Sequence, residues 1–338
     1  MIGVGIVGAG SFGEKHAEAI SILPEVRLVA ATRTNQSALG KFVERFGGIA
    51  CPDYSALLRS PDVDAVVIAT PHHLHTDIAV AAAKAHKHIL LEKPMAHNLA
   101  ECDQILQAVA DSGVKLMVGH INQFAPSYKI AKALIESGEI GEVVLGVSTM
   151  SKFWFEPNRR SWHLDRATGG GMWLTAGIHC LDRLTWLVGS PVQSVSAQFD
   201  TRFHDQNADD VGLIFLRYAN GAAGTVVSTG YKNGAPKHLT ELTCTKGMLN
   251  ITYDDGVRLG RNEQWQTIPE SVRSGWMEEA MLNQWRAFIE AIENDTPPAV
   301  SGDYARHIMA TVFAAEESSS LKREVAVASS ENTVISNQ

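Results

Sequence analysis

Cysteine is scarce. Four residues in 338, Cys51, Cys102, Cys180 and Cys244, stand far apart and form no CxxC pair. That spacing excludes a disulfide framework and a zinc-ribbon arrangement, and it fits reduced, buried thiols in a cytoplasmic protein. Long apolar runs are missing too: nothing approaches the roughly 18 residues that a membrane helix needs. The N-terminus has no signal-peptide anatomy, because Ile2-Gly3-Val4-Gly5-Ile6-Val7 already reads as a strand. Cationic excess is lacking: 29 Lys and Arg against 37 Asp and Glu leave a net charge of −8. A general binder of nucleic-acid backbones is thereby excluded, whereas a small anion held by a local nest of donors is not. Neither a nucleic acid nor a membrane is expected as a partner. With 45% hydrophobic and 20% charged residues, the chain has the makings of a sizeable core, and about 150 residues per domain suggests two domains.

The first 120 residues alternate short apolar strands, at 3–7, 26–31, 65–69, 88–91 and 115–118, with stretches at helical spacing, at 12–23, 37–46, 74–85 and 100–112. Such repetition predicts a parallel sheet covered on both faces. Beyond about residue 122 the texture changes. A helix at 126–137 precedes strands at 143–150, 192–199, 211–218, 222–229, 238–244 and 248–253. Asn220-Gly221, Lys246-Gly247 and Asp254-Asp255-Gly256 are the turns expected between antiparallel strands. Helices at 278–293 and 303–319 follow, and residues 329–338 read as a frayed tail. The expected fold class is α/β: a doubly wound, Rossmann-type domain over residues 1–122, then an α+β domain over 123–338 built on a large, open, mostly antiparallel sheet.

Gly8-Ala9-Gly10-Ser11-Phe12-Gly13 is a GxGxxG that follows the first strand and opens the first helix. Gly8 permits the tight turn, Gly10 lets the backbone approach a pyrophosphate, and Gly13 allows close helix–strand packing. The helix N-terminus, at Ser11 and Phe12, then offers N–H groups to phosphate. An Asp or Glu after the second strand would hold the ribose hydroxyls of NAD, but this chain has Thr32-Arg33-Thr34. A guanidinium flanked by hydroxyls suits a 2′-phosphate. NADP is therefore the preferred cofactor, with NAD as the other choice.

Further residues form a wider pattern: Thr70-Pro71 with His75, Glu92-Lys93-Pro94 after the next strand, Gly138-Glu139-Ile140-Gly141, Gly169-Gly170-Gly171, and Gly177-Ile178-His179 with Asp182. Over nearly its whole length the chain resembles the Gfo/Idh/MocA oxidoreductase family. The resemblance implies hydride transfer between a nicotinamide and a secondary alcohol or carbonyl of a sugar, anhydrosugar, polyol or related small molecule. It also implies a homo-oligomer, dimer or tetramer, built on the exposed face of the second sheet. Lys93 would sit beside nicotinamide and reacting oxygen, where an ammonium stabilises developing negative charge, with Pro94 helping to aim it. His179 matches the family's acid/base histidine. Thr70, Pro71, His72, His75 and Glu92 would line the cofactor.

One departure stands four residues before that histidine, where many members carry an aspartate and this chain has Thr175. A hydroxyl can orient an imidazole but cannot balance its charge. Asp182 or Asp165 could supply the anion, and Asp182 could equally buttress its helix. The segment 154–163, with Trp154, Phe155, Arg159, Arg160, Trp162 and His163, is the candidate loop for substrate selection, or else packs in an interface. Asn122 is a further candidate, and Gln123 stands near a position where many members have arginine. His72, His73 and His75 lack a ligand set at metal spacing, so no metal is expected. Glu14, Lys15 and His16 read as a solvated turn, and Glu316-Glu317 with Lys322-Arg323-Glu324 as helix-surface charge. Two other functions compete: elimination or glycosidic cleavage through transient redox, and a cofactor-binding sensor with reduced catalysis.

Overall fold

The computed structural model describes residues 1–155 and 159–329. Residues 330–338 of the tail expected at 329–338, and Glu156, Pro157 and Asn158 of the candidate loop, lie outside the described residues. The chain divides into two compact units: Met1–His120 with Met281–Arg306, and Ile121–Ala280 with the residues from His307 on. A single break at 122–123 therefore misses the return of 281–306 to the first unit.

In the first unit, six strands form a parallel sheet: β1 (Ile2–Val7), β2 (Val26–Thr32), β3 (Ile49–Cys51), β4 (Ala65–Ile68), β5 (His88–Glu92) and β6 (Leu116–Gly119). Their order is β3-β2-β1-β4-β5-β6, so the winding reverses between β1 and β4. A crevice at the carboxyl ends of those strands is where such sheets receive ligands. Five helices, α1 (Ser11–Ile20), α2 (Gln36–Phe46), α3 (Tyr54–Leu58), α4 (His75–Lys84) and α5 (Leu99–Ser112), alternate with the strands. The central strands are buried end to end, Ala65–Ile68 completely so, as expected of a sheet covered on both faces. Side chains cap three of the helices: Asn35 accepts from the N–H of Ala38, Asp53 from Ala56 and Asn98 from Glu101. The short β3 and α3 were not foreseen, because three or five residues carry too little periodicity to register.

The second unit is built on nine strands: β7 (Val143–Phe153), β8 (Val192–Asp200), β9 (Val211–Tyr218), β10 (Ala223–Tyr231), β11 (Lys237–Cys244), β12 (Gly247–Ile251), β13 (Val257–Arg261), β14 (Gln264–Ile268) and β15 (Val325–Ala326). Their order is β14-β13-β12-β11-β7-β10-β9-β8-β15. Only β7 and β10 pair in parallel; every other pair is antiparallel. Helices α6 (Pro126–Glu136) and α7 (Ile178–Val188) accompany it, and Leu184 packs so closely over Gly146 that a Cβ there would lie 2.5 Å from its Cδ1. On the opposite face the cross-strand row Trp265, Gly260, Met248, Thr243, Leu145, Ala223 runs across the sheet. Leu145, Leu213, Met248 and Trp265 are all exposed. Strands β13 and β14 had been missed. Their Arg, Gly, Gln and Thr residues do not read as an apolar alternation.

Two more helices, α8 (Trp276–Glu293) and α9 (Gly302–Leu321), contain the unit boundaries. Within the second unit Arg183 of α7 is wholly buried. Its guanidinium donates to Ser148 Oγ, Tyr253 Oη and the Thr149 carbonyl at 2.8–2.9 Å. Among the described residues no helix is long and apolar enough to cross a membrane.

Candidate active site

At the carboxyl edge of the first sheet the glycine loop folds as its sequence requires. Gly8 has φ +100°, and a Cβ there would lie 2.5 Å from the Ala69 carbonyl; one at Gly13 would lie 2.4 Å from the Gly8 carbonyl. Only glycine fits either position. The N–H groups of Gly8 and Ala9 both donate to the Thr32 carbonyl at 3.0 and 3.1 Å, which ties the loop to the end of β2. Helix α1 then begins at Ser11 with no side-chain cap, and a Cβ at Gly10 would meet nothing within 4 Å. An uncapped helix start facing open space has the donors and the partial positive charge that a phosphate needs. Thr70, after β4, has a buried hydroxyl with no hydrogen-bond partner among the described residues. These features fit a dinucleotide pyrophosphate at this edge.

Thr32 is buried and Thr34 exposed. Arg33, between them, donates from Nη1 to the Ala9 carbonyl at 3.0 Å, so its guanidinium is drawn over the glycine loop. His72 and His75 are buried, whereas His73 is exposed. The two ring nitrogens of His75 lie 2.9 Å from the Pro94 carbonyl and 3.0 Å from the Thr70 carbonyl. That ring lies between the turn after β4 and the Glu92-Lys93-Pro94 turn after β5, where its neutral form donates to one of the two carbonyls, and burial holds it below the usual histidine range against the pull of the carbonyls. Among the described residues, no group of three or more His, Cys, Asp or Glu could hold a metal ion.

Lys93, half-buried directly after β5, is accompanied by two histidines that the reading of sequence missed. His120 follows β6 and is fully buried against Tyr304. Burial first, and then the Lys93 ammonium, push it down to about 3, so it is neutral at physiological pH. His16, taken for part of a solvated turn, has no exposure at all and contacts Glu92. Its position on the inner stripe of α1, three residues after Gly13, was the available signal.

In the second unit Asn122 and Gln123 are buried in a short turn, and Gln123 Nε2 donates to Asp182 Oδ1 at 2.6 Å. Thr175 lies in a π-helical turn, Trp173–Gly177, that runs directly into α7, and His179 is in the first turn of that helix. A π turn adds a residue to the helical repeat and is often found at functional sites. Asp165 Oδ1 accepts from the Ala167 N–H and from Asn207 Nδ2. Trp154 is not a surface for a ring. It is fully buried, donates to Gln206 Oε1 at 2.8 Å and carries the Arg159 guanidinium 4.2 Å above its ring. Arg160 is exposed, and Trp162, half-buried, stacks on His163 at 3.6 Å. Glu316, expected as surface charge, instead accepts from Arg166 Nη2.

Asp209 receives the Trp173 N–H at the start of the π turn, 2.7 Å away, and presses against Gly171, where φ is +99° and a Cβ would lie 2.3 Å from Oδ1. Burial, opposed by that N–H, raises its carboxyl to about 7.

Two family descriptions match the chain: "Oxidoreductase family, NAD-binding Rossmann fold" over residues 2–120 and "GFO/IDH/MocA C-terminal domain" over residues 128–250. The myo-inositol 2-dehydrogenase of Thermotoga maritima is 27% identical over 338 residues, covering 95% of this chain and 97% of the relative. The levoglucosan dehydrogenase of Pseudarthrobacter phenanthrenivorans is 30% identical over 290 residues, covering 75% of this chain and 74% of the relative. A solved levoglucosan dehydrogenase in complex with NADH superposes with a TM-score of 0.90 at 25% identity, covering 97% of this chain and 100% of that one.

Because the folded value of Asp209 lies above the ordinary carboxylate value, its contribution to stability is complete below about pH 4 and is lost as pH rises through 7. Asp209→Asn keeps an acceptor for Trp173 and removes that loss. The variant-minus-wild-type difference in Tm is expected to grow by about 2–6 °C between pH 5 and pH 8. Parallel melting curves at the two pH values would refute the assignment.

Proposed function

The chain belongs to the GFO/IDH/MocA oxidoreductase family and is a nicotinamide-dependent dehydrogenase, and we propose that its substrate is a sugar, anhydrosugar or polyol. The observation that carries this reading is the edge of the first sheet, where the uncapped start of α1, the buried Thr70 hydroxyl and Lys93 occupy the ends of neighbouring strands. Gly8, Gly10, Ser11, Phe12 and Gly13 hold the pyrophosphate, with Thr70, Pro71, His72, His75 and Glu92 lining the rest of the dinucleotide. Bound there, the nicotinamide supplies the hydride acceptor or donor. Lys93 stabilises the negative charge that develops on the reacting oxygen. His179 removes the hydroxyl proton in oxidation and returns it in reduction. Thr175, on the turn before it, orients that imidazole, and Asn122, Arg160 and Trp162 contribute to substrate selection.

The absence of a carboxylate at Thr32-Arg33-Thr34, and the placement of Arg33 against the glycine loop, support NADP as the preferred dinucleotide. Three buried free cysteines fit a reducing compartment, the cytoplasm, which cell fractionation reads directly. The exposed Leu145, Leu213, Met248 and Trp265 support a homo-oligomer built on the outer face of the second sheet.

Steady-state assays with a panel of cyclic polyols test the catalytic reading. Lys93→Met and His179→Asn are each expected to lower kcat by about 10²–10⁴-fold while dinucleotide affinity changes less than about tenfold. Wild-type turnover of substrate with no stoichiometric change in the dinucleotide would favour transient redox instead. For the cofactor, Arg33→Ala is expected to weaken NADP by about tenfold or more and NAD hardly at all, through loss of a charge-assisted phosphate contact. Wild type that binds NAD as tightly as NADP overturns the preference. In sedimentation velocity, wild type is expected as a dimer or tetramer and Leu213→Asp as a smaller species; a monomeric wild type removes the oligomer.

A further inference from the structure

Two side chains that no part of the reaction uses, His16 and Trp285, meet Glu92 inside the first unit. His16, on α1, has Nε2 3.1 Å from Glu92 Oε1 and Nδ1 3.2 Å from the indole nitrogen of Trp285. His16 has no exposure, Trp285 1% and Glu92 7%. An indole N–H can only donate. Nδ1 therefore accepts, the ring hydrogen sits on Nε2, and Nε2 donates to the carboxylate. The Trp285 ring stands edge-on to the imidazole, centroids 5.9 Å apart and planes at 78°, so the ring plane is fixed as well as its hydrogens. On its other side the Glu92 carboxyl lies against β6. A Cβ at Gly119 would be 2.9 Å from Oε1 and 3.1 Å from the carboxyl carbon. Glu92 thus lies between an imidazole oriented by Trp285 and the bare backbone of Gly119 on β6.

What this arrangement connects gives it a role. Helix α1 presents its uncapped start to the pyrophosphate, and His16 sits on that same helix. Glu92 ends β5, and the next residue is Lys93. The return segment 281–306 supplies Trp285. From this geometry we infer that His16 is a positioning residue, which sets the distance between the phosphate-binding helix and the lysine at the reacting oxygen by donating to Glu92 under the direction of Trp285. The inference rests on the dinucleotide reading of this edge for its functional consequence. A displacement of about 1 Å at a reacting centre costs about 100-fold in rate.

The test uses the full chain and two substitutions. His16→Leu keeps apolar bulk and removes both hydrogen bonds; in His16→Gln the amide N–H takes the place of Nε2 and donates to Glu92. Hydrogen–deuterium exchange on the protein without dinucleotide is read at residues 10–16 and 92–96. Both segments are expected to lose protection together in His16→Leu and to regain most of it in His16→Gln. With NADPH and a turned-over ketose, His16→Leu is expected to lower kcat by about 10–100-fold, to change the KM for the carbonyl substrate less than about threefold, and to raise the primary deuterium isotope effect on hydride transfer; His16→Gln recovers most of kcat. Loosening confined to 10–16, or a fall in Tm with kcat and the isotope effect unchanged, overturns the inference. If wild type binds neither dinucleotide, the functional reading of the edge fails, while the exchange data still decide whether His16 ties the two segments.

Discussion

A helix that starts without a side-chain cap leaves backbone N–H groups facing open space, and the glycine-loop edge of the first unit is organised around that end of α1. Elsewhere in the unit Asn35, Asp53 and Asn98 occupy the equivalent donors. At α1 the N-cap is Gly10, which has no side chain to offer. Such an end persists only if the surrounding chain holds it, because solvent alone would let the first turn fray. The restraints are close approaches that exclude a Cβ at Gly8 and Gly13, two N–H groups shared on the Thr32 carbonyl, and the Arg33 guanidinium on Ala9. The anion-binding character of the edge follows from geometry that any other residue would break.

The same restraint extends along the edge toward the reacting oxygen. His75 lies between the turns after β4 and β5, and His120 stays neutral in its buried place near Lys93. Three histidines, His16, His75 and His120, therefore surround the Glu92-Lys93-Pro94 turn without exposure of more than 1%. A neutral His120 adds no positive charge beside the Lys93 ammonium.

Much of this was legible in the residues, and the part that was not has physical causes. The glycine loop and five of the six parallel strands announce themselves because short-range sterics and apolar runs decide them, whereas the Glu92-Lys93-Pro94 turn stands out through the family resemblance. The return of 281–306 to the first unit does not, since local periodicity describes a helix equally well wherever it packs. His16 was misjudged for the same reason: neighbours Glu14 and Lys15 suggested a solvated turn, while its burial depends on Trp285, 269 residues away. Trp154 was misjudged in the opposite sense. An aromatic beside arginines resembles a sugar platform, yet its indole and face are taken by Gln206 and Arg159.

The π turn before His179 is the irregular feature of the second unit that positions this histidine on its helix. A regular α-helix through 173–179 would place Thr175 one turn before the histidine on a shared face. The wider turn alters that spacing, and Asp209 holds it in place from outside through the Trp173 N–H and the closeness of Gly171. That contact supplies a reason for the glycine run Gly169-Gly170-Gly171 that does not involve a ligand. A Cβ at Gly170 or Gly171 would lie 2.3–2.7 Å from backbone or carboxylate atoms. The run builds the turn, and the turn leads directly into the helix that carries His179.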